Sequence, residues 1–248
     1  MTAGHDAKGE GAKASSRARF LLTGALLLLG IVFVALGTWQ VQRLFWKLDL
    51  IGRVDARVHA EAVPAPASPD WQGMTREKDE YRRVRAAGIF SHDKSALVQA
   101  VTERGAGFWV LTPMRLEDET TVLVNRGFVP TDRRERAARA EGEAAGTTEI
   151  IGLLRISEPG GAFLRSNDAA GDRWFSRDVA AIATARGLTN IAPYFIDADA
   201  TPNPGGLPIG GLTVVSFRNS HLVYALTWFA LAIMSAGGAW LVHWRRVA

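Results

Sequence analysis

The chain has 248 residues and no cysteine, with 29 lysines and arginines against 25 aspartates and glutamates, for a formal charge of +4. Without cysteine there is no disulfide framework, no thiolate-held zinc or iron–sulfur cluster, no CxxC redox or copper site and no CxxCH attachment motif. The positive excess lies wholly in the two tails, in Lys8, Lys13, Arg17, Arg19, Arg245 and Arg246, offset there by Asp6 and Glu10 alone, so no basic face for nucleic acid is expected.

Residues 1–19 read as a basic tail, and the run at 20–42, Phe20 to Gln42, contains no charged residue. At about 1.5 Å of rise per residue, roughly 20 apolar residues cross a bilayer core, so this run is expected to span one. It is longer than the apolar region of a signal peptide and no convincing small-x-small cleavage site precedes Trp39, which favours an uncleaved anchor. Leu44, Leu48, Ile51 and Val54 keep helical spacing beyond the span until Pro64, Pro66 and Pro69, so 43–69 reads as a helical extension and a Pro-rich linker.

From Tyr81 the period changes to two. Arg83–Phe90, Ala96–Val101, Phe108–Met114, Thr121–Val129 and Glu149–Ile156 read as strands, and Tyr194–Asp197 and Leu212–Phe217 as closing strands either side of the Pro/Gly stretch 201–211. Thr131–Gly142 is a charged helix or solvated excursion, and Asp178–Arg186 has the spacing of one amphipathic helix. The expected domain, 70–218, is mostly antiparallel β, a sandwich or barrel with one or two short helices. A second span follows at 219–244, then a basic tail at 245–248. The fold class is thus membrane α+β, with two transmembrane helices flanking an extracytoplasmic β domain. Basic tails at both ends place both termini in the cytoplasm of a bacterium, or in the matrix of a mitochondrion, with the central domain across the membrane.

No HExxH, GxSxG, P-loop or GxGxxG is present, and no carboxylate pairs with a histidine in an acid/base pattern, so no enzyme is expected. Asp168, Asp172 and Asp178 could suggest a metal site, but their surroundings read as solvated loop. The informative residues stand where the spans meet the domain side. On a helix Trp39, Arg43 and Trp46 share a face, with Gln40, Arg43 and Lys47 in the same sector. His221, Tyr224, Ala225 and Trp228 form one stripe at the start of the second span. One reading is an aromatic belt with snorkelling cations and a wetted histidine. The other is a haem site in which the imidazole is an axial ligand, the rings are flat walls and the cations meet carboxylates. His243 lies roughly 33 Å further along the same helix and cannot join that site. Ala232 and Ala236 make a small-xxx-small pair suited to close helix approach, the partner being the first span or a helix of another protein.

Several segments also resemble a known family. Gly37-x-Trp39-Gln40-x-x-Arg43-x-x-Trp46-Lys47 ends the first span, Glu80-Tyr81-Arg82-Arg83-Val84 opens the domain, and Leu111-Thr112-Pro113 and Asn125-Arg126-Gly127 lie within it. Asn219-x-His221-Leu222-x-Tyr224-Ala225-x-Thr227-Trp228-Phe229 begins the second span. In this order, from about residue 20 to 244, they resemble the Surf1 (Shy1) family of cytochrome c oxidase assembly factors. The resemblance implies a role in maturing oxidase subunit I, with non-covalent haem a delivered or stabilised for the haem a3–CuB centre and His221 as its axial ligand. It further implies subunit I as partner, haem a synthase and a homo-oligomer as further candidates, and the bacterial inner membrane as location. A cofactor-free scaffold that holds subunit I is the alternative. Phe128, Met114 and Ser220 depart from the commoner family residues Trp, Phe and Asn at those positions.

Overall fold

A computed structural model describes residues 6–162 and 164–244; the expected tail at 245–248 and residues 1–5 of the other tail lie outside them. In chain order the elements are α1 (Asp6–His59), β1 (Val63–Pro64), α2 (Arg76–Asp79), β2 (Arg83–Phe90), β3 (Ala96–Thr102), β4 (Gly105–Leu116), β5 (Thr121–Pro130), β6 (Thr147–Ile156), α3 (Val179–Arg186), β7 (Ile191–Ala198) and α4 (His221–Trp244). They fall into two compact units: the chain up to Arg53 with everything from Ser216, and Val54–Val215.

The first unit is the helix pair. Both α1 and α4 are long and apolar enough to cross a membrane. The expected first span and its extension are one helix of 54 residues, rich in the strong helix formers Leu and Ala and ending five residues before the backbone-breaking Pro64. Small residues set the seam. Ala225, Ala232, Ser235 and Ala239 of α4 are buried, a heptad-like stripe. Against it Gly30 comes so close that a Cβ would lie 3.7 Å from Ser235 Cβ. Gly37 is buried under the Phe229 ring. The partner of the small-residue stripe is therefore α1, and its members differ from the expected pair: Ala236 and Gly237 are exposed, because positions 235 and 239 return to a seam of this period and 236 does not.

The second unit is a closed five-stranded barrel. Its ring runs β2–β6–β7–β5–β4 and closes through β4 back to β2, where Gly88, Ile89 and Phe90 pair with Leu116, Arg115 and Met114. Every pairing in the ring is antiparallel except β5 with β7. β1 adds to β2 in parallel, and β3 extends the sheet from β4. Alternating residues fill the ring: Val84 and Ala86, Met114, Val122 and Val124, Leu154, Tyr194 and Ile196. The intervening side chains of β5 and β7, Leu123 and Phe195, point the other way and pack with Trp174 and with Val179 and Ile182 of α3. β5 is consequently buried on both faces, which explains its nearly unbroken apolar sequence.

The helix expected at Asp178–Arg186 is present, with Asp178 accepting from the Ala181 N–H at 3.1 Å as its N-cap. The charged stretch at 131–142 forms two short 3-10 turns. The expected closing strand Leu212–Phe217 is absent. β7 lies beside β5 only as far as Asn125, so the β5 edge left open beyond it is short. The backbone of Ile209 takes that edge, exchanging hydrogen bonds with Phe128 at 2.8 and 2.9 Å. Gly127 permits that approach: its φ is +128°, and a Cβ there would collide with the Ile209 carbonyl.

Candidate functional site

Helix α4 begins at His221. Asn219 Oδ1 accepts from the His221 N–H at 3.4 Å, and the Ser220 carbonyl accepts from the Tyr224 N–H at 3.2 Å. These bonds satisfy amides that a helix start leaves open and hold the half-buried imidazole at the first turn.

Within the same unit, Gln40 Oε1 of α1 lies 2.7 Å from His221 Nδ1. A carboxamide oxygen only accepts, so in the neutral ring Nδ1 carries the proton and Nε2 keeps its lone pair. An imidazole whose second N–H is fixed by an outer partner is set to act as a metal ligand. The Arg43 guanidinium lies 3.7 Å over the Trp46 ring, and Lys47 Nζ lies 4.9 Å from the centre of the Phe217 ring. Among the described residues neither cation has a carboxylate within 4.0 Å. Trp39 is 54% exposed and Tyr224 55%. Trp228 lies two turns along α4 and stacks on Phe33 of α1, ring centres 5.6 Å apart.

The fold's other charged clusters lie in the barrel unit. Arg155 donates to Glu80 Oε1 and to Asp197 Oδ2, both at 2.8 Å, and Arg177 donates to Glu158 Oε1 at 2.6 Å. Asn125 Nδ2 donates to Asp197 Oδ1 at 2.7 Å, so this buried network is closed on itself. The three aspartates weighed as a metal site are separately engaged: Asp168 with Arg173, Asp172 with Arg186 and the Trp174 indole, Asp178 as helix cap. Among the described residues no three His, Asp or Glu side chains group to hold a metal ion.

Comparison with known proteins gives the lineage. The SURF1 family profile matches residues 27–233. The chain is 38% identical over 230 residues to human Surfeit locus protein 1, covering 85% of this chain and 74% of the human one. It is 37% identical over 226 residues to a SURF1-like protein of Monosiga brevicollis, covering 85% and 83%. The chain belongs to the SURF1 family.

Of the helix residues singled out in this SURF1 chain, the structure joins His221 to Gln40 and Lys47 to Phe217. Arg43 stacks on its own helix neighbour Trp46. Trp228 and Ala225 are taken into the helix seam, while Trp39, Trp46 and Tyr224 remain largely exposed. Gln40 is the candidate site residue that the sequence left as a sector neighbour of Arg43. The signal that could have found it is an amide one turn before Arg43, in the sector that Arg43 shares with Lys47. The SURF1 motif residues of the barrel serve two clusters. Glu80 accepts from Arg155, and beside it Tyr81 holds a positive φ of 64° with its ring 4.9 Å from the Arg155 guanidinium. Arg126 is buried in the second cluster.

Proposed function

We propose that this chain is a membrane-anchored haem a carrier that serves the maturation of cytochrome c oxidase subunit I. Membership of the SURF1 family supports a role in cytochrome c oxidase assembly. The observation that carries the haem reading is the Gln40–His221 hydrogen bond, which leaves Nε2 free to donate. Haem a supplies an iron that accepts an axial nitrogen, a flat apolar macrocycle and two propionates. The donor set fits that cargo. His221 ligates through Nε2, while Gln40 holds the Nδ1 proton and the ring plane. Arg43 and Lys47, which have no acidic partner among the described residues, neutralise the propionates. Trp39, Trp46 and Tyr224 cover the macrocycle, and Trp228 braces α4 against Phe33.

A single neutral ligand with no covalent link suits a protein that must release its cargo. No covalent bond of the cargo is made or broken in this role, only the coordination to His221, so the chain acts without catalysis. The two helices lie in the bacterial inner membrane with both tails cytoplasmic and the barrel in the periplasm, the matrix-in arrangement being its mitochondrial equivalent. Subunit I receives the haem, and haem a synthase is its natural donor.

The cellular test is complementation. A host lacking the gene should assemble oxidase without the optical signature of the haem a3–CuB centre, and the wild-type chain should restore it. His221→Ala, expressed at the same level in the membrane, should not. Full rescue by that variant would overturn the reading.

A further inference from the structure

Arg126 of β5 is 4% exposed, yet nothing that touches it carries a negative charge. Its Nη2 donates to Asn203 Oδ1 at 2.7 Å and to the Gly142 carbonyl, and its Nη1 to His92 Nδ1 at 3.4 Å. The His92 ring uses its other nitrogen on the Ala144 carbonyl at 3.0 Å, which makes Nδ1 the accepting, unprotonated atom. Burial, joined by the neighbouring guanidinium charge, keeps His92 below its ordinary pKa and therefore neutral. The Phe90 ring lies 5.0 Å from the Arg126 guanidinium carbon.

The carboxylate whose charge reaches Arg126 is Glu143, and both its oxygens accept from Arg136 at 2.7 Å. Arg139, also buried, adds positive charge, and its Nε has no hydrogen-bond partner among the described residues. A buried cation in such company is costly unless something anionic compensates it. Of the five N–H groups of Arg126, three are used; Nε–H and one on Nη1 have no acceptor among the described residues.

Arg126 lines a cavity of about 210 Å³ whose walls include Phe90, Val124, Ile150 and Ala198. Two carboxylates also border it. Glu149 is exposed to solvent, and Asp199 Oδ1 accepts from the Thr201 N–H at 3.0 Å. Neither lies within 4.0 Å of Arg126. They disfavour a dianion such as phosphate, while the apolar walls favour a hydrocarbon stem.

We propose that this cavity binds a small amphipathic monocarboxylate, its head on Arg126 and its stem against Phe90, Val124 and Ile150. The site is independent of the haem reading, since every residue in it belongs to the barrel unit. The test uses the full chain in mild detergent, titrated with hexanoate, hexanamide and inorganic phosphate while its Tm is followed. Hexanoate should raise Tm saturably and the other two should not. Ala198→Leu, which grows into the cavity from a residue that makes no hydrogen bond to Arg126, should stay folded and lose the response. In protein labelled with nitrogen-15 at arginine, hexanoate should also shift the Arg126 Nε–H resonance, a readout independent of whether that variant folds. A flat wild-type titration, an equal response to hexanamide or phosphate, or an unmoved Arg126 resonance would each overturn the proposal.

Discussion

Gln40 decides what His221 can do. Removing its carboxamide oxygen frees the imidazole to rotate and to place its proton on either nitrogen. Outer partners of metal-binding histidines contribute roughly 10–100-fold in affinity, so Gln40→Leu should weaken haem a binding by about that factor, read by titration of the Soret band. Gln40→Glu, which still accepts from Nδ1, should retain binding, whereas a purely structural Gln40 would make the two variants differ in helix content rather than in haem. Gly127 gives a second prediction at this scale. An added Cβ meets the Ile209 carbonyl at a positive φ, so Gly127→Ala should cost about 3 kcal/mol, measured by chemical denaturation of the full chain. His221 was legible in the sequence because a histidine at the head of an apolar run invites explanation. Its bond to Gln40 was not, because the two are 181 residues apart and the register of the helices lies in neither segment alone.

Among the elements, β5 and the α1–α4 seam carry the most information. The strands were legible where one face is buried, since alternation follows directly from the pleat. Leu212–Phe217 shows the limit of that rule. Residues from Thr213 on alternate between half-buried and exposed, yet a strand also needs an open edge, and the one left on β5 beyond Asn125 is taken by Ile209. Barrel or sandwich was undecided for the same reason: closure rests on the β2–β4 pairing, a property of strand order. The seam makes its own prediction. A Cβ on Gly37 would lie 2.7 Å from the Phe229 ring, so Gly37→Leu should separate the helices and lower the yield of folded protein, while Gly24→Leu, with open space around it, should not.

The buried network joining β6, β7 and the α2–β2 turn sets an acid limit on the barrel. Burial pushes the Glu158 carboxyl up, but hydrogen bonds and charge from Arg177 and Arg155 outweigh it and hold the pKa below 4.5. A carboxyl depressed on folding stabilises above its unfolded pKa, and that contribution is lost as pH falls through the folded value. Barrel stability should therefore fall as pH drops below about 4.5, and Glu158→Gln should flatten that limb while being less stable at neutral pH. A wild-type curve with no acid limb, or one unchanged by the substitution, would contradict this account of the network.

For the whole molecule, the claims are a hairpin in the membrane and a cargo at its edge. The absence of cysteine makes the first directly testable, since any introduced thiol is the sole one. In intact cells a membrane-impermeant maleimide should label Ala170→Cys in the barrel and spare Thr2→Cys and Ala248→Cys until the membrane is opened. Labelling of the tails in sealed cells would reverse the topology. The second claim is settled by colour. The full chain would be co-produced with a haem a pathway and purified in mild detergent beside His221→Ala, and both would be recorded as reduced-minus-oxidised and pyridine haemochrome spectra. The account predicts haem a in the wild type and its loss from a folded His221→Ala. A colourless, folded wild type that still co-purifies with subunit I would contradict it and make the chain a scaffold.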